Sequence, residues 1–291
     1  MEFLRPATWA EALAAKADLP EAAPIQGGTD MMVELNFDVH RPAALLDLNR
    51  VAELTRWTAE ADGRLRIGAG VPYARLIAEL GDRLPGLAQA ARTVGSPQIR
   101  NRGTVGGNLG AASPAGDSHP ALLAGDAVIE VESAARGVRM IPADEFYLGV
   151  KRNTLLPDEL IRAFWMSPAS GPQYFSKVGT RNAMVIAVCS FAIALHPGER
   201  RVGAAIGSAA PTPRRARAAE EFLAAELDWD APLEPAVLRR FGELATEAAS
   251  PIDDVRGTAG YRRHAIGVMA RRTLTWAWND LRAGRTERRA G

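Results

Sequence analysis

The chain has 291 residues, 35 of them basic and 34 acidic, a net charge of +1 and 47% hydrophobic residues. That balance fits a folded protein of one large or two to three modest domains; it excludes a disordered chain and gives no field that would gather nucleic acid. No apolar run approaches the roughly 20 residues of a membrane span, and Met1 is followed by Glu2 and Phe3 rather than a basic and apolar leader, so a soluble, cytoplasmic chain is expected.

In chain order, Glu2 to Arg5 reads as a short strand, and Thr8-Trp9-Ala10-Glu11 has the form of a capping box opening a helix through Lys16. Ala22 to Gln26 reads as a strand running into Gly27-Gly28, with a helical turn over Thr29 to Leu35. Strands follow at Ala44 to Leu48 and Leu65 to Ile67, then helices at Pro72 to Leu80 and around Leu87 to Val94. The stretch from Gly103 to Asp117 is the most glycine-dense and is expected to be the least regular.

Ala127 to Glu132, Val138 to Ile141 and Leu160 to Met166 read as strands, and Ser167 to Pro172 as a linker. Beyond it come β-compatible segments at Tyr174 to Lys177, Val185 to Leu195 and Val202 to Ile206. Helices are expected at Arg214 to Leu227, Ala236 to Ala248 and Tyr261 to Leu281, followed by a frayed basic tail containing Arg285, Arg288 and Arg289.

Two glycine clusters carry the candidate chemistry. In Pro24-Ile25-Gln26-Gly27-Gly28-Thr29-Asp30, adjacent glycines between a strand and a helix start let backbone N–H groups converge on a diphosphate, with Thr29 adding a hydroxyl. A tight turn without a ligand is the competing reading, because neither dinucleotide fingerprint is matched. In Gly103-Thr104-Val105-Gly106-Gly107-Asn108, glycines again free backbone amides, and Thr104, Asn108 and Ser113 supply polar side chains. Glycines of a bulged sheet are the alternative there. Valine at Gly106 or Gly107 is expected to fill the space that a diphosphate needs.

Those two loops, together with Ala112-Ser113-Pro114-Ala115-Gly116-Asp117, resemble the FAD-binding subunit of the xanthine dehydrogenase and carbon monoxide dehydrogenase family. The resemblance continues through Lys177-Val178-Gly179-Thr180-Arg181, Ala209 to Arg214 and Ser250 to Gly257, so it spans nearly the whole chain. It implies an α+β fold: a two-subdomain FAD-binding domain of the vanillyl-alcohol-oxidase-like, PCMH type over residues 1–170 (subdomains about 1–59 and 60–170), then a smaller α+β domain with a sheet and helices over 171–291.

The resemblance further implies that Ile25, Gln26, Gly27, Gly28, Thr29, Asp30 and Met31, with Thr104, Gly106, Gly107 and Asn108, wrap the FAD diphosphate. Ser113 and Asp117 would lie further along the cofactor, Leu160 or Ile161 against the adenine or flavin, and Gly95 with its backbone near the isoalloxazine. Lys177 would sit near the flavin or, on the bland reading, be a solvated edge-strand lysine. One departure stands out: many members carry an acidic residue where this chain has Val185, which bears on the electron acceptor.

A single cysteine, Cys189, sits in an apolar run and reads as core, so this chain cannot ligate an iron–sulfur cluster, which takes about four thiolates. The resemblance places 2Fe–2S clusters in a small subunit and the molybdopterin cofactor in a large one, the whole forming a dimer of heterotrimers. This chain would take electrons from the iron–sulfur subunit and reduce NAD⁺, oxygen or a quinone. A free-standing FAD-dependent oxidoreductase and a cofactor-less docking subunit are the alternatives. No histidine pattern marks a metal site, His119 reads as a helix-start or surface residue, and Arg214 to Arg217 as a solvated or docking face.

Overall fold

The computed structural model describes the backbone of residues 1–290 and the side chains of residues 1–284. Strand β1 (Glu2–Leu4) leads into α1 (Trp9–Asp18), where the Thr8 hydroxyl accepts the Glu11 N–H at 3.2 Å. The reciprocal half of the capping box lies one residue upstream of its usual place: Glu11 accepts the N–H of Ala7 at 2.7 Å. Strand β2 (Ala23–Ile25), α2 (Met31–Asn36) and β3 (Ala44–Asp47) complete a parallel sheet of order β1-β3-β2. All four residues of central β3 are buried, as a parallel strand covered on both faces requires.

The chain continues through β4 (Trp57–Ala59), β5 (Leu65–Gly68), α3 (Tyr73–Leu80), α4 (Pro85–Thr93), α5 (Pro97–Arg102), α6 (Val105–Ala111) and α7 (Ser118–Ala124). Strands β6 (Val128–Ser133) and β7 (Gly137–Pro142), the hairpin of β8 (Tyr147–Gly149) and β9 (Arg152–Asn153), and β10 (Leu160–Met166) follow. An antiparallel sheet has the order β4-β5-β10-β6-β7. The last third holds β11 (Gln173–Val178), β12 (Cys189–His196), β13 (Arg201–Gly207) and β14 (Arg214–Arg215), an antiparallel sheet in that order, then α8 (Arg217–Glu226), α9 (Pro235–Glu247) and α10 (Ala259–Ala290).

Two compact units result. The first takes Met1–Ala78, Gly95–Ser113 and Ala127–Ser167; the second takes Glu79–Val94, Pro114–Asp126 and Pro168–Gly291. The fold is α+β, as expected.

In the first unit, one face of the five-stranded sheet is polar. Arg66 donates twice to Glu130, at 2.8 and 2.7 Å, and the Trp165 indole donates to the same carboxylate at 2.7 Å. Arg162 pairs with Glu132 at 2.9 Å, and Trp9 of α1 donates to Glu132 at 2.7 Å, tying α1 to the sheet. Burial opposes ionisation of Glu130, but the Arg66 and Trp165 hydrogen bonds prevail and hold its carboxyl below the usual range. Glu130→Ala leaves the Arg66 cation and the Trp165 N–H without their acceptor, so it should cost about 3 kcal/mol, read as a shift in urea midpoint. The contribution is present above the unfolded carboxyl pKa and is lost as pH falls through the depressed folded value.

The sheet of the second unit has two unlike faces. Cys189, Phe191, Ile193 and Leu195 of β12 join Val202, Ala204 and Ile206 of β13 in the apolar core shared with α8, α9 and α10. The alternate residues are small, and that lets α7 approach: a Cβ on Gly203 would stand 2.1 Å from the Ala124 carbonyl oxygen, and one on Gly207 2.7 Å from Pro120. Cys189 is fully buried and its thiol is pushed up to about 12 by burial, which makes it inert core.

Four expectations are corrected. The glycine-dense stretch is irregular over 112–117 but helical over Val105–Ala111, because Thr104 caps α6 and buried Val105 and Leu109 anchor it from one side. The strand expected from Val185 begins at Cys189, because Arg181 donates to the Met184 carbonyl and folds residues 179–187 into a loop. The helix expected from Arg214 begins at Arg217: Arg214 and Arg215 pair with β13, and Arg215 is held by Glu220 at 3.0 Å and by Asp126 rather than solvated. The backbone of the expected frayed tail is helical to Ala290; the side chains of Arg285, Arg288 and Arg289 lie outside the described residues.

Candidate functional site

The two glycine clusters meet in the first unit. A Cβ on Gly27 would stand 2.2 Å from the Arg102 carbonyl oxygen and 3.1 Å from the Gly103 Cα, so the loops touch backbone to backbone. A third segment closes the back of this junction. A Cβ on Gly106 would lie 2.4 Å from the Ala69 carbonyl oxygen, and one on Gly70 would lie 2.9 Å from the Gln26 amide nitrogen. Gly27 and Gly106, whose Cβ atoms would run into backbone, are therefore required by packing inside the protein.

Other glycines of the same loops leave backbone uncovered. Gly28 has φ +76, a left-handed conformation that favours glycine, and the nearest neighbours of an added Cβ are side-chain atoms of Met32 and Ile25 at 3.5 Å or more. A Cβ on exposed Gly107 would meet only Thr104 Oγ1 at 3.2 Å, and one on exposed Gly110 only Ile161 Cδ1 at 4.0 Å. Thr104 is buried, its oxygen accepting the Gly107 N–H at 2.9 Å as the cap of α6. Gln26 Oε1 is buried with no hydrogen-bond partner, an acceptor the protein leaves unused.

The other expected residues of the first unit distribute as follows. Ile25 ends β2, Thr29 is half-buried, and Asp30 and Met31 open α2. Asn108 is a half-buried residue of α6, and Ser113 is half-buried just beyond its end. Ile161 faces α6 at Gly110, whereas Leu160 is buried in β10. Gly95 has φ +46 and forms a turn closed by Arg100, which donates to its carbonyl at 2.9 Å.

Asp117 and Lys177 belong to the second unit and form a buried ion pair at 2.5 Å. Thr93 donates to the same Asp117 oxygen at 2.8 Å, and Lys177 also donates to the Thr93 carbonyl at 3.1 Å. Burial pushes the Asp117 carboxyl up, and Lys177 and Thr93 oppose that shift. Asp117 Oδ1 is left without a partner. The solvated reading of Lys177 is thereby overturned: its side chain is 9% exposed. His119 is at a helix start but fully buried, not at the surface.

Sequence reasoning missed the Ala69-Gly70 wall and Thr93. The run Gly68-Ala69-Gly70 after a strand was a usable signal for close backbone approach. Thr93 had none, since its role depends on α4 packing beside β11. Val185 lies over Gly179, where an added Cβ would stand 2.3 Å from Val185 Cγ1, so the residue at the departing position packs on its own loop.

Comparison with known proteins places this geometry in a family. The profile described as FAD binding domain in molybdopterin dehydrogenase matches residues 1–166, and that described as CO dehydrogenase flavoprotein C-terminal domain matches residues 174–277. The xanthine dehydrogenase FAD-binding subunit of Escherichia coli O157:H7 is 33% identical over 284 residues, covering 94% of this chain and 95% of the relative. The carbon monoxide dehydrogenase medium chain of Hydrogenophaga pseudoflava is 30% identical over 290 residues, covering 95% and 96%. A solved structure of carbon monoxide dehydrogenase from Hydrogenophaga pseudoflava superposes with a TM-score of 0.88 at 28% identity, covering 97% of this chain and 98% of that one. Matches of this extent run through both units, and the chain belongs to the family of FAD-binding medium subunits of xanthine and carbon monoxide dehydrogenases, flavoprotein subunits of molybdenum-hydroxylase-type oxidoreductases.

Proposed function

We propose that this chain holds FAD along the paired glycine loops of its first unit and relays electrons within a molybdenum hydroxylase complex. The observation that carries the reading is the convergence of the Gly27-Gly28 and Thr104 to Asn108 loops, with backbone left uncovered at Gly28 and Gly107. A diphosphate is recognised by backbone N–H groups that it can approach closely; the Gly107 N–H itself already donates to Thr104 Oγ1, so Gly107 offers room for the approach rather than the donor, and the unused acceptor at Gln26 Oε1 suits a ligand that also brings hydroxyl or N–H donors. When bound, FAD supplies the redox chemistry, exchanging electrons singly or in pairs. The chain's residues bind and orient it: residues 25–31 and 104–108 at the diphosphate, Ser113 and Asp117 further along, Leu160 or Ile161 at a ring, and Gly95 and Lys177 towards the flavin.

In this reading residues 1–170 form the FAD-binding domain and residues 171–291 the C-terminal domain. Two segments of the former, Glu79–Val94 and Pro114–Asp126, pack with the latter. Partner subunits carry the 2Fe–2S clusters and the molybdopterin cofactor, since one buried cysteine cannot ligate a cluster. The assembly is a dimer of heterotrimers in the cytoplasm, and the acceptor is NAD⁺, oxygen or a quinone. Among the described residues no helix is long and apolar enough to cross a membrane.

The test is isolation of the chain from its native source. Expected are yellow protein, FAD rather than FMN released on denaturation, and co-purification with one cysteine-rich subunit and one containing molybdenum. Colourless protein that takes up no FAD overturns the cofactor assignment; turnover of an organic substrate by the chain alone overturns the relay role.

A further inference from the structure

The β8–β9 hairpin touches both helices that follow the glycine loops. At its turn the Lys151 N–H donates to the Ala112 carbonyl at 3.2 Å, and Asn153 Nδ2 donates to the Gly110 carbonyl at 3.1 Å, both at the C-terminal end of α6. The Lys151 ammonium then reaches Glu34 of α2 at 2.7 Å. Helix α2 has no buried residue, and Met32 and Val33 are 46% and 51% exposed, so apolar packing does little to fix it.

Lys151 has φ +54, a left-handed conformation that favours glycine. A lysine kept in a conformation that costs free energy points to a use for its side chain. The electrostatics supply one. Asp30 and Glu34 put two carboxylates on α2 just after Gly28, where they repel a diphosphate; desolvation pushes the Asp30 carboxyl up, and Lys151 opposes that shift.

We propose that Lys151 is a positioning residue for the diphosphate cradle, tying α2 to the end of α6 and neutralising the carboxylates beside the first glycine loop. This rests on the FAD reading above. The experiment titrates the full-length apo chain with FAD, following flavin fluorescence, and measures hydrogen exchange of the same apo protein. Lys151→Ala should weaken FAD binding about tenfold at low salt, the size of one partly screened charge interaction. The deficit should shrink at about 1 M salt, where the screening length is about 3 Å. Lys151→Arg should bind as wild type, and Lys151→Ala combined with Glu34→Gln should recover part of the loss by removing one repelling charge.

In the apo chain, Lys151→Ala should speed exchange of the amides of residues 31–36 and leave those of β5 and β10 unchanged. Unchanged affinity in Lys151→Ala, or no recovery in the double variant, overturns the charge role; unchanged exchange in α2 overturns the tie. Failure of the wild-type chain to bind FAD overturns instead the reading beneath the inference, and the exchange comparison still decides the tie.

Discussion

Gly106→Val should leave the first unit unfolded or severely destabilised, whereas Gly107→Val should leave it folded and unable to retain FAD. The two glycines are adjacent, but their surroundings are opposite. At Gly106 a Cβ alone would stand 2.4 Å from the Ala69 carbonyl oxygen and 2.5 Å from the Ala69 Cβ, and neither can move without displacing the turn after β5. Overpacking of that kind costs about 3 kcal/mol or more once a branched side chain is added. At Gly107 the side chain would point into open space with Thr104 Oγ1 at 3.2 Å as its nearest neighbour. The steric reason expected from the sequence, a filled ligand space, thus remains open only to Gly107, because at Gly106 the clash is with the protein itself. Urea denaturation of both apo variants, beside FAD titration of whichever folds, separates the two. Equal apo stability of Gly106→Val and wild type, or full FAD affinity in Gly107→Val, would show that the packing glycine and the ligand-facing glycine have been assigned the wrong way round.

That distinction shows where sequence reading stops. Local signals carried far: Thr8 and Glu11 marked the entry to α1, the apolar run around Leu45 marked β3, and the two glycine segments singled out as candidates touch backbone to backbone. Helix α6 was missed because glycine weakens helices on its own, while the anchoring of Val105 and Leu109 that offsets this is settled by tertiary packing. Residue types named Asp117 and Lys177 as candidates, but no local pattern says that they bond each other or that Thr93 joins them. The roles of Gly27 and Gly106 depend on which distant carbonyl comes near, and a sequence does not display that distance.

The second unit should lose stability on mild acidification, and the buried imidazole of His119 should be the main cause. Its imidazole is fully buried in α7, and burial alone lowers its pKa from 6.5 to about 3. The sign follows from which state binds the proton more readily. The unfolded chain takes it up near pH 6.5, the folded one only near 3, so stability is full above the unfolded value and falls by about 1.4 kcal/mol per pH unit as pH drops between the two. Going from about pH 6.5 to about pH 5 should thus remove roughly 2 kcal/mol, in a range where ordinary carboxyl groups remain ionised. His196, also lowered by burial, adds in the same direction, so His196→Gln serves as the companion variant. Hydrogen exchange of β12 and β13 amides, corrected for intrinsic rates, reads the opening free energy of this unit directly. His119→Gln should flatten most of the slope and His196→Gln a smaller part. A slope unchanged in His119→Gln would mean that the folded state accommodates the imidazolium, and the burial argument at α7 would fall.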